Sequence, residues 1–184
     1  IKKSQIDSQF GDLWKKGEGA KVTVKEALEV MLKDSDNTAV NLLIDRVGLD
    51  QLAEVVESLD LPPQAKNYYP TMSLKEYTSV FRSLYLASYL TKGQSNHILD
   101  LLTQSDRSDR IVAGVPEEFK VAHKYGLFRS SDGGEEVNND CGIVYLEKRP
   151  YLICAAVFGS EEAAAKHIST ISKMVFEYVN GLKL

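Results

Sequence analysis

The stretch Lys33-Asp34-Ser35-Asp36-Asn37-Thr38-Ala39-Val40-Asn41-Leu42-Leu43 sets short polar side chains between two strongly apolar helical patterns. Ser35, Asp36 and Asn37 are therefore expected to break one helix and cap the next, because short polar side chains compete for backbone groups inside a helix and satisfy the open amides at its start. A hydroxyl and a carboxamide two residues apart can face one cleft, the first relaying a proton and the second binding a carbonyl. An ordinary helix N-cap has the same composition, so the stretch needs a partner elsewhere in the chain.

The partner lies far downstream, at Val121-Ala122-His123-Lys124-Tyr125-Gly126-Leu127. Val121 and Ala122 read as strand, Lys124 puts a fixed cation on it, and Gly126 leaves room for a ligand to press against the backbone. Ser-Asp-Asn on a helical break followed by Lys-x-Gly on a later strand resembles the second and third motifs of the class A β-lactamases and penicillin-binding proteins. The flanking words agree: Ile111-Val112-Ala113-Gly114-Val115-Pro116 before the strand and Cys141-Gly142-Ile143-Val144-Tyr145-Leu146 after it. The resemblance runs from Val22 to Phe158.

It implies a serine acyl-enzyme mechanism, in which a serine attacks an amide carbonyl with a lysine one helical turn later helping to remove its proton. On the matching positions, Ser35 would pass a proton to the departing nitrogen and Asn37 would hold the substrate's amide. Lys124 would stabilise negative charge near Ser35 and on the substrate carboxylate, with Tyr125 and Gly126 beside it. The backbone N–H of Leu127 would supply half of an oxyanion hole. Asp36 would be structural, tying its loop to neighbouring backbone. No cofactor is implied. The resemblance alone also implies an extracytoplasmic location, in the cell envelope or secreted.

Three departures stand out. No serine has a lysine three places on, so the nucleophile motif Ser-x-x-Lys is absent; Thr170-Ile171-Ser172-Lys173 is its nearest imitation and lies after the other motifs. The family's sheet also opens with a helix and two strands for which nothing before Ile1 provides. The chain is thus expected to be a family domain lacking its N-terminal part, and that missing segment is a candidate partner. Leu61 to Met72 carries no acid where class A enzymes have a glutamate-bearing loop. Tyr125, finally, stands where a small hydroxyl is usual, which puts carboxylate recognition in question. The implied ligands are D-alanyl peptides or β-lactams. The competing reading is a non-catalytic domain of this fold with a peptide-binding or interaction role, and a more distant one is an unrelated α+β module.

Size and charge bound these readings. With 184 residues the chain can build one core, and a net charge of -4 argues against a nucleic-acid partner. No run of about 18 apolar residues suggests a membrane span. His97, His123 and His167 are scattered, and neither cysteine has a neighbour at metal-ligand spacing, so no metal site is expected. Cys141 and Cys154 fall on one hairpin. A turn at Glu147-Lys148 would set them opposite each other and one at Lys148-Arg149 would set them diagonally, and buried free thiols are the expectation.

In chain order, Ile1 to Lys21 reads as a surface-wrapping connection anchored by Phe10, Leu13 and Trp14. Thr23 and Glu26 form a capping box for a first helix, Thr38 to Val47 makes a second that stops at Gly48, and Asp50 caps a third. Leu61-Pro62-Pro63 ends it, and Gln64 to Met72 is irregular. Ser73 and Glu76 cap a helix whose aromatic stripe reads as core, Lys92-Gly93 closes it, and Ser95 caps a short successor. From Phe119 the period changes to that of strands, over Phe119 to Phe128, Asn138 to Leu146 and Tyr151 to Phe158, with a glycine-bearing loop at Ser130 to Gly134. A last helix, Glu161 to Leu182, turns Ala165, Ile168, Ile171, Val175 and Tyr178 to the sheet. Helices followed by antiparallel strands predict an α+β domain, with a helical subdomain at 22–110 and an incomplete sheet with its packed helix at 111–184.

Overall fold

The computed structural model describes residues 1–61, 72–129 and 136–182. The expected irregular connection after Leu61 and the Ser130 to Gly134 loop lie outside the described residues. The fold is α+β: among the described residues, five α-helices precede three strands and a sixth follows them. It falls into two compact units, Ile1–Met72 and Ser73–Leu184. Grouping by element type put the boundary after residue 110. The structure puts two more helices with the sheet, because those helices pack on its strands.

In the first unit, α1 (Val24–Lys33), α2 (Asn37–Val47) and α3 (Leu49–Ser58) follow one another across tight breaks. Thr23 caps α1 by accepting the Glu26 amide. Glu26 does not return the bond and instead pairs with Lys16 at 2.9 Å. Ala27 and Ala39 are buried with Leu13 between the helices, where small side chains let two backbones approach closely. Gly48, with φ +87°, ends α2 by donating its N–H to the Ile44 carbonyl and serves in turn as N-cap of α3. Asp50, expected as that cap, is the second residue of the helix, in its first turn, where its charge complements the helix N-terminus. The N-terminal stretch wraps α2. Thr38, fully buried, both accepts the Asp7 amide and donates to the Asp7 carbonyl, and Asn41 donates to the carbonyl of buried Gln5.

In the second unit, α4 (Leu74–Leu86) opens with the expected reciprocal box, Ser73 accepting the Glu76 amide while Glu76 accepts the Ser73 amide at 2.6 Å. The Ser73 amide and hydroxyl, both donating to the ionised carboxylate, hold the Glu76 pKa below its ordinary value. The helix does not run on to Lys92-Gly93. It stops at Leu86 with Ala87 in the left-handed region, and α5 (Lys92–Leu102) starts from a Thr91/Gln94 box. That box places Gly93 and Ser95 inside α5. Two satisfied amides outweigh the roughly 1 kcal/mol preference of glycine for a helix end.

Strands β1 (Val121–Phe128), β2 (Val137–Val144) and β3 (Tyr151–Phe158) form an antiparallel sheet in that order. One face carries Val121, Val144, Ile153 and Ala155 against Ala164, Ile168 and Phe176 of α6 (Glu161–Gly181). On the other face Ile143 and Leu152 border Arg82, Tyr85 and Leu86 of α4. The buried stripe of α6 is thus turned from the expected one, leaving Ile171 42% and Tyr178 69% exposed. The cause is the turn Val112–Gly114, which packs so closely that a Cβ on Gly114 would come within 2.4 Å of the Ser169 carbonyl. Only small Ser172 fits there, and its hydroxyl donates to the Ile111 carbonyl at 2.8 Å. An apolar periodicity cannot register a buried serine chosen for closeness.

The two cysteines are joined, which corrects the expectation of free thiols. The β2–β3 register pairs Cys141 with Cys154, the turn falls at Glu147-Lys148, and the Cα atoms are 4.1 Å apart. The Glu136–Gly159 backbone bond makes even-numbered residues of β2 the bonded partners of β3, so odd-numbered Cys141 occupies a close, non-bonded position. A cross-link closing so short a loop should contribute about 2–3 kcal/mol. Reduction by dithiothreitol is expected to lower the urea midpoint of the wild type and to leave that of a Cys141→Ala/Cys154→Ala double variant unmoved.

Candidate functional site

The two groups of expected site residues lie in different units. In the first, Ser35 occupies the break between α1 and α2 with φ +57°. A non-glycine residue held there carries about 1–2 kcal/mol of backbone strain. The surroundings fix that conformation. Asp36 N–H donates to the Val30 carbonyl, and Asn37 N–H donates to the Phe10 carbonyl at 3.2 Å. Asp36 is fully buried, its Oδ1 accepting the Ala39 amide at 2.8 Å and its Oδ2 the Leu13 amide at 2.7 Å. One carboxylate therefore caps α2 and pins the wrapping N-terminal stretch. Gly11, with φ +74°, is there because a Cβ would stand 2.1 Å from Asp36 Oδ2. Half-buried Ser35 and Asn37 flank this anchor on a backbone with little freedom.

In the second unit, β1 is an edge of the sheet formed by the described residues. Tyr145 N–H donates to the Lys120 carbonyl, and the register pairs Val121 with Val144, so even-numbered residues of β1 bond β2. In an antiparallel ladder the odd-numbered residues then direct N–H and C=O outward. The Leu127 amide and the Tyr125 carbonyl therefore both point from the free edge. Lys124 curls onto that edge, its ammonium donating to the Tyr125 carbonyl at 3.0 Å and lying 4.5 Å from the centre of the Tyr125 ring. Burial pushes its pKa down to about 8, with the Arg110 charge acting the same way and Asp140 and Asp106 opposing it.

Tyr125 is buried, and the guanidinium groups of Arg107 and Arg110 also lie 5.2 and 5.7 Å from its ring. Three cations thus lie within 6 Å of one aromatic ring centre. The space over Gly126, expected to admit a ligand, is taken by Asn139, whose carboxamide would be 2.9 Å from an added Cβ. Beneath the edge lies a polar layer for which the sequence reading had no place. His123 Nδ1 is 2.9 Å from Asp140 Oδ1, both side chains being almost fully buried. Arg110, 1% exposed, donates to the carbonyls of Gly126 and Asn139 and to Asn138 Oδ1. The available signal was an aspartate inside the strand pattern Val137–Val144 and an arginine just ahead of Ile111-Val112.

Known proteins match this chain along nearly its whole length. A sequence profile described as the beta-lactamase enzyme family matches residues 1–179. A beta-lactamase of Bacteroides uniformis is 24% identical over 185 residues, which cover 85% of this chain and 60% of that enzyme, so the chain spans little more than half its relative's length. Among solved structures, a beta-lactamase from Sphaerobacter thermophilus superimposes with a TM-score of 0.84 at 22% identity, covering 99% of this chain and 72% of that one. A substituted form of PBP-A, solved as an acyl-enzyme complex with penicillin G, gives 0.81 at 22% identity over 98% and 70%. These likenesses show the fold, and the profile shows the lineage: the chain belongs to the beta-lactamase enzyme family.

Proposed function

We propose that the protein is a serine acyl-enzyme hydrolase of the penicillin-binding or D,D-peptidase type, acting on D-alanyl peptides or β-lactams, whose Ser-x-x-Lys nucleophile comes from sequence outside residues 1–184. The observation that carries this reading is the free edge of β1, where the Lys124 ammonium and the outward Leu127 amide stand on one rigid strand. An extended substrate laid along that edge meets a cation for its carboxylate and a fixed donor for the oxyanion of its tetrahedral intermediate. Ser35, on its strained break, passes a proton to the departing nitrogen, and Asn37 holds the substrate's amide. Tyr125 and Gly126 shape the edge rather than donate to the ligand.

Family membership and the penicillin G complex of the PBP-A relative support the class of chemistry. The Cys141–Cys154 bridge fits an oxidising, extracytoplasmic compartment. Because Leu61 to Met72 holds no carboxylate to activate water, an acyl adduct should persist, which favours penicillin binding over rapid β-lactam hydrolysis. A second reading, a non-catalytic peptide-binding domain, is favoured by the missing Ser-x-x-Lys. Intact-mass spectrometry of the full-length protein after exposure to a labelled penicillin separates them. The enzyme reading expects one long-lived covalent adduct, whereas no adduct at millimolar penicillin leaves the binding domain.

A further inference from the structure

We propose that Arg107, stacked on the ring of Tyr125 and held by Glu161, is a specificity-determining residue that binds the substrate's carboxylate at the free edge of β1, a role that rests on the reading of that edge given above. The starting point is Tyr125, which stands where the motif that the chain resembles has a small hydroxyl. Being 5% exposed, Tyr125 leaves carboxylate recognition to other groups. What it offers instead is a platform. Arg107 Cζ lies 5.2 Å from the ring centre, and an arginine on an aromatic face keeps its planar fork in one orientation.

Alternation along the strand places Arg107 relative to the edge. Tyr125 shares its face with Val121, which packs in the core beneath α6, whereas Lys124 leaves from the opposite face and curls round to the Tyr125 carbonyl at 3.0 Å. Arg107 lies on the Tyr125 ring and bonds Glu161 in the first turn of α6, so it flanks β1 from the α6 side. An extended ligand along the edge then runs between an ammonium and a guanidinium. The two arginines near the ring differ in access. Arg110 is 1% exposed, and its Nη1 and Nη2 are spent on the carbonyls of Gly126 and Asn139 and on Asn138. Arg107 keeps 29% of its side-chain surface open. Its Nη2 donates to Glu161 at 2.6 Å, but Nη1 has Asp109 only at 3.5 Å, longer than a good hydrogen bond. Glu161 also pairs with Arg129 at 3.1 Å, so its one charge is divided between two arginines. A guanidinium has more N–H donors than these partners use, and Arg107 can grip a carboxylate through Nη1 and Nε while Glu161 keeps its hold.

The test sets a free carboxylate against a blocked one. In the full-length protein, acylation by penicillin G and by its methyl ester is followed by intact-mass spectrometry for the wild type, Arg107→Gln and Arg107→Lys. Arg107→Gln is expected to slow the reaction of penicillin G by about tenfold to a hundredfold, the usual worth of charge-assisted hydrogen bonds, and that of the ester by less than about threefold. Arg107→Lys should recover part of the loss, because it keeps the charge without the fork. An unchanged ratio between acid and ester in Arg107→Gln, equal slowing of both included, overturns the proposal while the hydrolase reading stands. If the wild type forms no adduct with either compound, that reading falls and binding decides. Arginine labelled with nitrogen-15 at Nε is then observed by NMR during titration with acetyl-D-alanyl-D-alanine and with its C-terminal amide, Arg107 being assigned by whichever variant folds. A shift of the Arg107 signal with the acid and none with the amide supports the carboxylate role, whereas equal shifts, or none, overturn it.

Discussion

Lys124→Ala in the full-length protein should slow acylation by penicillin at pH 7 by about a hundredfold to a thousandfold, the usual cost of removing a group aimed at developing negative charge. The pH dependence gives a second signature. With its pKa pushed down to about 8, Lys124 is charged below that pH and loses its proton as pH rises through it. Acylation by the wild type should therefore hold level up to about pH 8 and fall above it, and the variant should lose that limb. A wild-type profile flat to pH 10 would rule out the ammonium as the acting species. Stability should move the other way. The unfolded lysine keeps its proton up to about 10.5, so between 8 and 10.5 the unfolded state binds more protons and the folded state gains stability with rising pH. Below 8 the desolvation cost of this cation is fully present, and Lys124→Met should melt at a higher temperature at pH 7.

Asp36→Ala should destabilise the Ile1–Met72 unit by about 4 kcal/mol, because two hydrogen bonds from buried amides to a charged acceptor are each worth about 1.5–3 kcal/mol. The α2 cap and the anchor of Leu13 disappear together. Asp36→Asn should cost roughly half as much, since an amide oxygen keeps one of the two bonds while the amide nitrogen confronts the other donor. Urea unfolding followed by the fluorescence of Trp14, the only tryptophan, reports on this unit directly. Equal midpoints for wild type and Asp36→Ala would show that the carboxylate does not hold the wrapping stretch. The same logic explains Gly11, whose missing side chain makes room for Asp36 Oδ2.

Much of the architecture was legible because it rests on local chemistry. Thr23, Ser73 and Gly48 mark helix ends through bonds made within a few residues, and the change of period near Phe119 announces the sheet. Thr91 and Gln94 carry as clear a signal for α5, although the glycine of Lys92-Gly93 by itself favours a helix end. The rotation of α6 was not legible, because what turns it is Gly114, far away in sequence, demanding a small residue at Ser172.

By itself the sequence determined the helix-then-strand order, the polar break at Ser35, Asp36 and Asn37, and the cation on a strand at Lys124, since each follows from spacing and side-chain type. Tertiary structure alone decided the Cys141–Cys154 bridge, which depends on where a hairpin turns by a single residue. It alone decided the His123–Asp140 pair and the burial of Arg110, because a charge inside a protein is tolerable only when partners from distant strands and turns are brought within about 3 Å, and no local pattern encodes that meeting.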